Sequence, residues 1–350
     1  MLLAGIAWND AGFEVAFRDA DGDVPARPRH LHAGTSAELI EHLSRLHDEL
    51  PDALVCVIDS TDGMVDGGLL ARGVRVVRAD PWLLPRRTGF GSVDADTLAR
   101  AGVNRLAELT SLVLGEGTLT GRSSDHARHE RDSAGTLASM TEAGRCLVRG
   151  RGGEDDPVVA LTFDDGPNPP WTGRVLDVLD SYQVPATFFC VGLHADGHRE
   201  ELTRMVEAGH RIGNHTWSHP FLPDLSWPEV QEQLERTDEA IGREARQEER
   251  LFRPPYGAGT ASMFATVGQD PATTTVLWDV DTNDWSMPGS HAIAAAALAQ
   301  ARPGSIVLMH DGGGDRSQTV EALPRIIDGL MGRGFRFARV DDPDVGFAGA

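Results

Sequence analysis

Between Val158 and Pro167 the chain reads Val-Val-Ala-Leu-Thr-Phe-Asp-Asp-Gly-Pro, an apolar run that stops at two adjacent carboxylates and a turn. A buried strand ending this way holds both acids at its carboxyl edge, where open and barrel-shaped α/β folds place their chemistry. Adjacent like charges disfavour each other's ionisation unless a cation or hydrogen bonds separate their roles. One of the two acids is therefore expected to meet a metal.

Further ligands are found in Gly213-Asn214-His215-Thr216-Trp217-Ser218-His219-Pro220. His215 and His219 stand at i and i+4, a spacing that one helical turn brings to a single face. With Asp165 they make two nitrogens and one oxygen. That set suits a zinc-like divalent ion and leaves a fourth position open for water or substrate. Taken alone, such a histidine pair reads as ordinary surface or core residues, and two acids are ordinary in a turn.

Three more motifs follow in order. Leu251-Phe252-Arg253-Pro254-Pro255-Tyr256-Gly257 joins an apolar lead, a cation and a rigid turn; Val280-Asp281-Thr282-Asn283-Asp284-Trp285 ends a β-rich run in acids and an aromatic; Ile306-Val307-Leu308-Met309-His310-Asp311 ends a third strand in a histidine. The series resembles the five motifs of the polysaccharide deacetylase family, carbohydrate esterase family 4, over about residues 157 to 341. Flanking stretches, Pro185-Ala186-Thr187-Phe188-Phe189 and Leu222 to Ser226, are similar to it too.

The resemblance implies roles. Asp164 would be the general base that deprotonates metal-bound water, and Asp165, His215 and His219 the ligands of one divalent ion: zinc first, with cobalt, nickel or manganese as alternatives. The backbone N–H of Tyr256 would stabilise the oxyanion, where one donor is worth roughly 3 kcal/mol. His310 would protonate the departing amine. Arg253 would hold and aim Asp164, and Asp284 would keep the proton on His310. Trp285 and Leu308 match positions that wall the acetyl pocket, although plain core packing explains them as well. Gly312 to Gly314 read as a solvated loop with no role, with a mobile rim to the site as the alternative.

Composition limits rival chemistries. The 32 basic residues are all arginine, so Schiff-base catalysis and a P-loop lysine are excluded. Cys56, Cys146 and Cys190 are far apart and odd in number, which suits a reducing compartment, and Cys190 in its apolar run reads as a packed thiol. A net charge of −21 opposes nucleic acid, anionic lipid and polyanionic glycans. The N-terminus lacks the basic n-region and apolar length of a signal peptide. The expectation is a cytoplasmic protein with no membrane or nucleic-acid partner.

The chain has room for two domains. The expected fold class is α/β: a ribonuclease H-like α/β domain over 1–116, a linker over 117–156 with a short helix near Leu137 to Val148, an irregular (β/α) barrel over 157–342, and a tail over 343–350. Strand-like runs at 158–163, 186–191, 275–280 and 305–309 alternate with helical ones at 172–181, 199–208, 228–243 and 291–301, which fits such a barrel.

In the first half, strands Leu2 to Trp8, Gly12 to Arg18 and a run near His30 precede a helix Thr35 to Leu50. A strand Ala53 to Ile58, a short helix Gly67 to Arg72, a strand Val74 to Arg78 and a helix Asp94 to Leu114 follow. This order is that of ribonuclease H-like folds, and the stretches around Ile58-Asp59 and Gly91 to Ala99 are similar to acidic motifs of insertion-sequence transposases with a RuvC-like domain. Nucleases of this fold need first-strand acids for paired metals, and Ala7 stands there. Residues 1–120 carry eleven arginines against eighteen acids. The module is expected to be catalytically inactive and used for packing, homo-oligomerisation or gating, with a second metal site at Asp59, Asp62 and Asp94 as the minor alternative.

The resulting reading is a metal-dependent hydrolase that removes an acetyl group from an N-acetylated amino sugar, as a small molecule or oligosaccharide, or from a related small amide. The alternatives are a hydrolase of a non-sugar amide or cyclic imide on the same scaffold, and a binding protein with a vestigial site.

Overall fold

The computed structural model describes residues 1–26, 30–50, 53–59, 64–80, 83–85, 89–115, 118–120, 122–150, 152–153, 155–245 and 249–342. The chain forms two compact units, Met1–Arg128 and His129–Ala350.

In the first unit, β1 (Leu2–Asn9), β2 (Gly12–Asp19) and β3 (His30–Ala33) form an antiparallel meander. The helix α1 (Ser36–Glu49) follows, its N-cap Thr35 accepting the Glu38 N–H, and leads to β4 (Leu54–Ile58). Then come α2 (Met64–Leu70), β5 (Arg75–Arg78), α3 (Ala95–Arg105) and β6 (Thr110–Ser111), giving the sheet order β3-β2-β1-β4-β5-β6. β1, β4 and β5 are parallel, and β6 is antiparallel to β5. Leu39, Leu43, Cys56 and Leu69 pack on one face, and Leu3, Val55, Val57 and Leu98 on the other.

One expectation about this unit changes. The helix anticipated to Leu114 stops at Arg105, because the chain tightens into a 3-10 turn at Leu106–Glu108 and turns outward as β6. Asp94 caps α3 by accepting the Thr97 N–H at 2.8 Å, and Asp59 accepts the Val93 N–H at 3.0 Å, so each has a structural task; Asp62 lies outside the described residues.

A short hairpin of β7 (Val113–Gly115) and β8 (Thr118–Thr120) precedes α4 (Arg122–Glu142). The second unit then runs β9 (Cys146–Leu147), β10 (Val158–Asp164), α5 (Trp171–Tyr182), β11 (Thr187–Cys190), α6 (Gly192–Gly197), α7 (Arg199–Glu207), β12 (Arg211–Asn214), α8 (Trp227–Gly242) and β13 (Arg250–Phe252). It closes with α9 (Ala261–Val267), β14 (Thr273–Val276), β15 (Val280–Asp281), α10 (Ser290–Gln300), β16 (Ser305–His310), α11 (Ser317–Gly332) and β17 (Arg336–Phe337). All pairings in this sheet are parallel, in the order β15-β16-β10-β11-β12-β13-β14-β9, with β17 added to the start of β10.

The alternation of side chains along β10 divides two cores. Val159, Leu161 and Phe163 point to the helices, where they meet Leu176, Phe188, Ile293 and Ile326. Val158 and Ala160 point the other way and share a cluster with Leu147 of the edge strand β9, Phe189, Leu251, Val276 and Ile306. Side chains from strands far apart in the sheet order can meet only if the sheet curls, so it is a half-barrel with β15 and β9 as open edges rather than a closed barrel. Burying a side chain the size of Phe163 or Phe188 contributes about 1.5–3 kcal/mol.

The expected linker helix also changes. α4 ends at Glu142, and Cys146–Leu147 is an edge strand paired with Thr275 and Val276. The run expected at 275–280 is two strands, β14 and β15, on opposite flanks of the sheet. β12 and α11 were not anticipated. Among the described residues no helix is long and apolar enough to cross a membrane.

Candidate active site

Asp164 ends β10 on the inner face, in register with His310 of β16, and Thr162 lies beside Leu308. Arg253, fully buried, fills the lumen beneath. Its guanidinium donates to Asp164 Oδ1 at 2.7 Å, Thr162 Oγ1 at 2.8 Å, and the Leu277 and Val276 carbonyls at 3.1 and 3.2 Å. It also stacks 4.1 Å from the Phe189 ring centroid. This planar fan of donors is what a guanidinium offers and an ammonium does not.

Asp165 follows at φ 76°, a left-handed conformation, and one oxygen of each carboxylate faces His215 Nε2, at 3.7 Å from Asp164 and 3.5 Å from Asp165. Asp165, His215 and His219 are all buried, and one ligating atom from each lies within 4.8 Å of the others. Asp165 Oδ1 is 3.3 Å from His219 Nε2 and 3.5 Å from His215 Nε2, and among the described residues no hydrogen-bond donor reaches it. Burial alone would raise this carboxyl, but the two imidazoles, His219 first, hold it well below the usual carboxylate range. A buried carboxylate oxygen without a donor, facing two imidazole nitrogens, fits a divalent cation. The His215 Nδ1–H donates to the Arg253 carbonyl at 2.7 Å, which leaves Nε2 facing Asp165.

The histidine pair is not on a helix. Residues 215–219 form a loop after β12, with Thr216 at φ 68° and His219 at φ 54°, and this path brings the two ring centroids to 4.9 Å. The i,i+4 spacing therefore succeeded for a reason other than helical periodicity.

Across the mouth, His310 is bonded to Asp284 at 2.7 Å from Nδ1 to Oδ1. Burial pulls the imidazole down, yet Asp284 outweighs it and raises His310 to about 9. Tyr256 stands at φ 60° in a tight turn, its ring 4.7 Å from that of His219. Leu308 is buried on the inner face, and Trp285 is half-buried in the turn after β15. The structure thus gathers Asp164, Asp165, His215, His219 and Arg253 into one buried cluster; Tyr256 packs on it through His219.

Comparison with known proteins places the chain in a family. The polysaccharide deacetylase family model matches residues 151–274. The chain is 42% identical over 196 residues to a chitooligosaccharide deacetylase of Sinorhizobium fredii, a match covering 53% of this chain and 91% of that protein. The chain belongs to the polysaccharide deacetylase family. A peptidoglycan-N-acetylglucosamine deacetylase of Bacillus cereus is 37% identical, with 54% and 88% of the two chains covered. Among solved structures, a peptidoglycan N-acetylglucosamine deacetylase bound to an N-hydroxybenzamide superposes with a TM-score of 0.55 at 34% identity, covering 58% of this chain and 94% of that one.

In this family member, sequence reasoning missed several residues around the site. Arg316, buried, donates to the Gly312 carbonyl at 2.8 Å, the Gly313 carbonyl at 2.7 Å and the Asp284 carbonyl at 3.4 Å. The glycine loop is accordingly not a solvated rim. A Cβ on Gly312 would collide with the Asp165 carbonyl, and one on Gly313 would lie 2.6 Å from Asp165 Oδ2. His194 donates to the Asp165 carbonyl at 2.6 Å, and Thr319 to Asp284 at 2.7 Å. Asp311, fully buried beside Thr172, is pushed up to about 7, first by burial and also by Asp165 and Asp164. A carbonyl cage such as that of Arg316 leaves no signature in residue spacing.

Proposed function

We propose that the protein is a metal-dependent N-deacetylase that hydrolyses the acetyl amide of an N-acetylated amino sugar, free or in an oligosaccharide. The observation that carries this reading is the donor-free Asp165 oxygen between two imidazoles, flanked by a carboxylate on one side and an imidazole on the other. Asp165, His215 and His219 would hold the ion, and the N₂O set favours zinc, with cobalt, nickel or manganese as alternatives. When bound, a divalent ion supplies Lewis acidity, lowering the pKa of water from 15.7 to about 7.

The side chains do the rest. Asp164 has one oxygen fixed by Arg253, and the other, 3.7 Å from His215 Nε2, would accept a proton from attacking water. The Tyr256 N–H meets the developing oxyanion. His310, kept protonated at neutral pH by Asp284, gives its proton to the departing amine. Leu308 and Trp285 wall the space for the acetyl methyl. Acetate release from N-acetylglucosamine oligomers, dependent on added metal, tests the reading. Turnover of cyclic imides without release of acetate from any amino sugar would replace it.

The first unit has a strand order of 3-2-1-4-5 with strand 2 antiparallel, which supports a ribonuclease H-like assignment. We assign it no nuclease activity, since Ala7 is a buried apolar residue on β1 and acids outnumber arginines there. Nicking of plasmid DNA with magnesium or manganese would reverse this assignment. Homo-oligomerisation through this unit belongs to the same proposal and is checked by light scattering. Cytoplasmic residence, supported by three buried free thiols, is checked by cell fractionation.

A further inference from the structure

The loop that carries His215 and His219 is unfavourable by itself. Thr216 and His219 both occupy the left-handed region, which a β-branched side chain such as that of Thr216 avoids. The Thr216 hydroxyl is buried without a hydrogen-bond partner among the described residues. The loop's N–H groups find acceptors outside it: His215 at the Cys190 carbonyl, Thr216 at Asn214 Oδ1, and both Trp217 and Ser218 at one atom, Gln233 Oε1, at 2.8 and 2.9 Å. Gln233 Nε2 lies 3.1 Å from Ser218 Oγ, which orients the amide.

Gln233 sits on α8, whose Thr237, Ala240 and Ile241 are buried in the core, so it is fixed from below. Arg236, one turn on, stacks 4.0 Å over the Trp217 ring from outside. One amide oxygen on a rigid helix thus takes two of the three interior N–H groups of a five-residue loop whose ends are the two imidazoles.

We propose that Gln233 is a positioning residue for the metal site, which sets the separation of His215 and His219 before any ion arrives. The inference rests on the ligand assignment above. Its force lies in the acceptor: an oxygen of either amide or carboxylate can take both N–H groups, and an isosteric hydrocarbon cannot. A preformed loop binds metal without first ordering itself, and supporting residues of this kind typically set about 10–100-fold in affinity.

The test compares zinc dissociation constants of the full-length protein and its Gln233→Leu and Gln233→Glu variants by chelator competition, with thermal melts of each metal-free protein as a check on folding. Gln233→Leu is expected to bind zinc about 10–100-fold more weakly, while Gln233→Glu, which keeps the double acceptor, stays near the parent. Unchanged affinity in Gln233→Leu would overturn the inference, as would an equal loss in both variants. The assay contains no substrate, so a protein that binds zinc but releases no acetate would overturn the deacetylase reading alone. A parent that binds no zinc would overturn both.

Discussion

His310 and Asp284 are joined twice, by the 2.7 Å bond from the imidazole Nδ1 and by a 2.9 Å bond from the His310 backbone N–H to the second carboxylate oxygen. Ring and main chain are thereby fixed to one buried anion, which also accepts the Thr319 hydroxyl. Because His310 is raised to about 9 from 6.5, its stabilising contribution is complete below about pH 6.5 and is lost as pH rises through 9.

The same shift predicts the activity profile. The alkaline limb of kcat/KM should follow His310, and Asp284→Asn should move that limb to lower pH while lowering stability in neutral solution. A limb that stays in place would assign Asp284 another task.

Replacing His215 or His219 with Ala should lose bound metal, with affinity falling by more than the roughly 10–100-fold that supporting residues cost. Metal analysis after dialysis checks this. Stoichiometric metal in both variants would remove them as ligands.

Asp164→Asn should keep the metal and lose turnover by about 100-fold or more, since an amide cannot accept the proton. Arg253→Met should be worse for the fold, because it leaves Asp164 buried without its cation. Acetate release and urea melts separate the two effects.

Arg316→Met should lower kcat/KM by about 10–100-fold, by freeing the glycine loop that packs on Asp165. Arg316→Lys should not restore it, because one ammonium cannot span three carbonyls in a plane. Full activity in the lysine variant would show that charge, not geometry, matters here.

A fragment beginning at residue 151, where the family match starts, should be less stable than one beginning at 129. The shorter piece lacks β9 and Met140, and burial of Met140, Cys146 and Leu147 contributes on the order of 4–6 kcal/mol. Equal melting temperatures for the two fragments would refute this.

What was legible in the sequence is what strand ends and turns impose locally. Asp164 and Asp165 stood out because an apolar run broke on them, and His310 for the same reason. β12 escaped notice because Arg211-Ile-Gly-Asn carries a charge and a glycine in four residues. α11 contains Pro324 and two glycines, yet packs Leu323, Ile326, Ile327 and Leu330 so well that tertiary burial overrides the breakers. Arg316, Gln233 and His194 act through main-chain carbonyls and amides that only the folded chain brings near, so no pattern of residue types points to them.

The two open edges of the half-barrel, β15 and β9, are each two residues long. An edge that short offers a neighbouring chain almost no ladder to extend, and this is how natural sheets discourage the strand-to-strand joining that leads to aggregates. The sheet can therefore stay open without being sealed into a full barrel. Among the described edge strands β3 is longer than either, so continuing the curled sheet from one molecule to the next is disfavoured as a route of self-association.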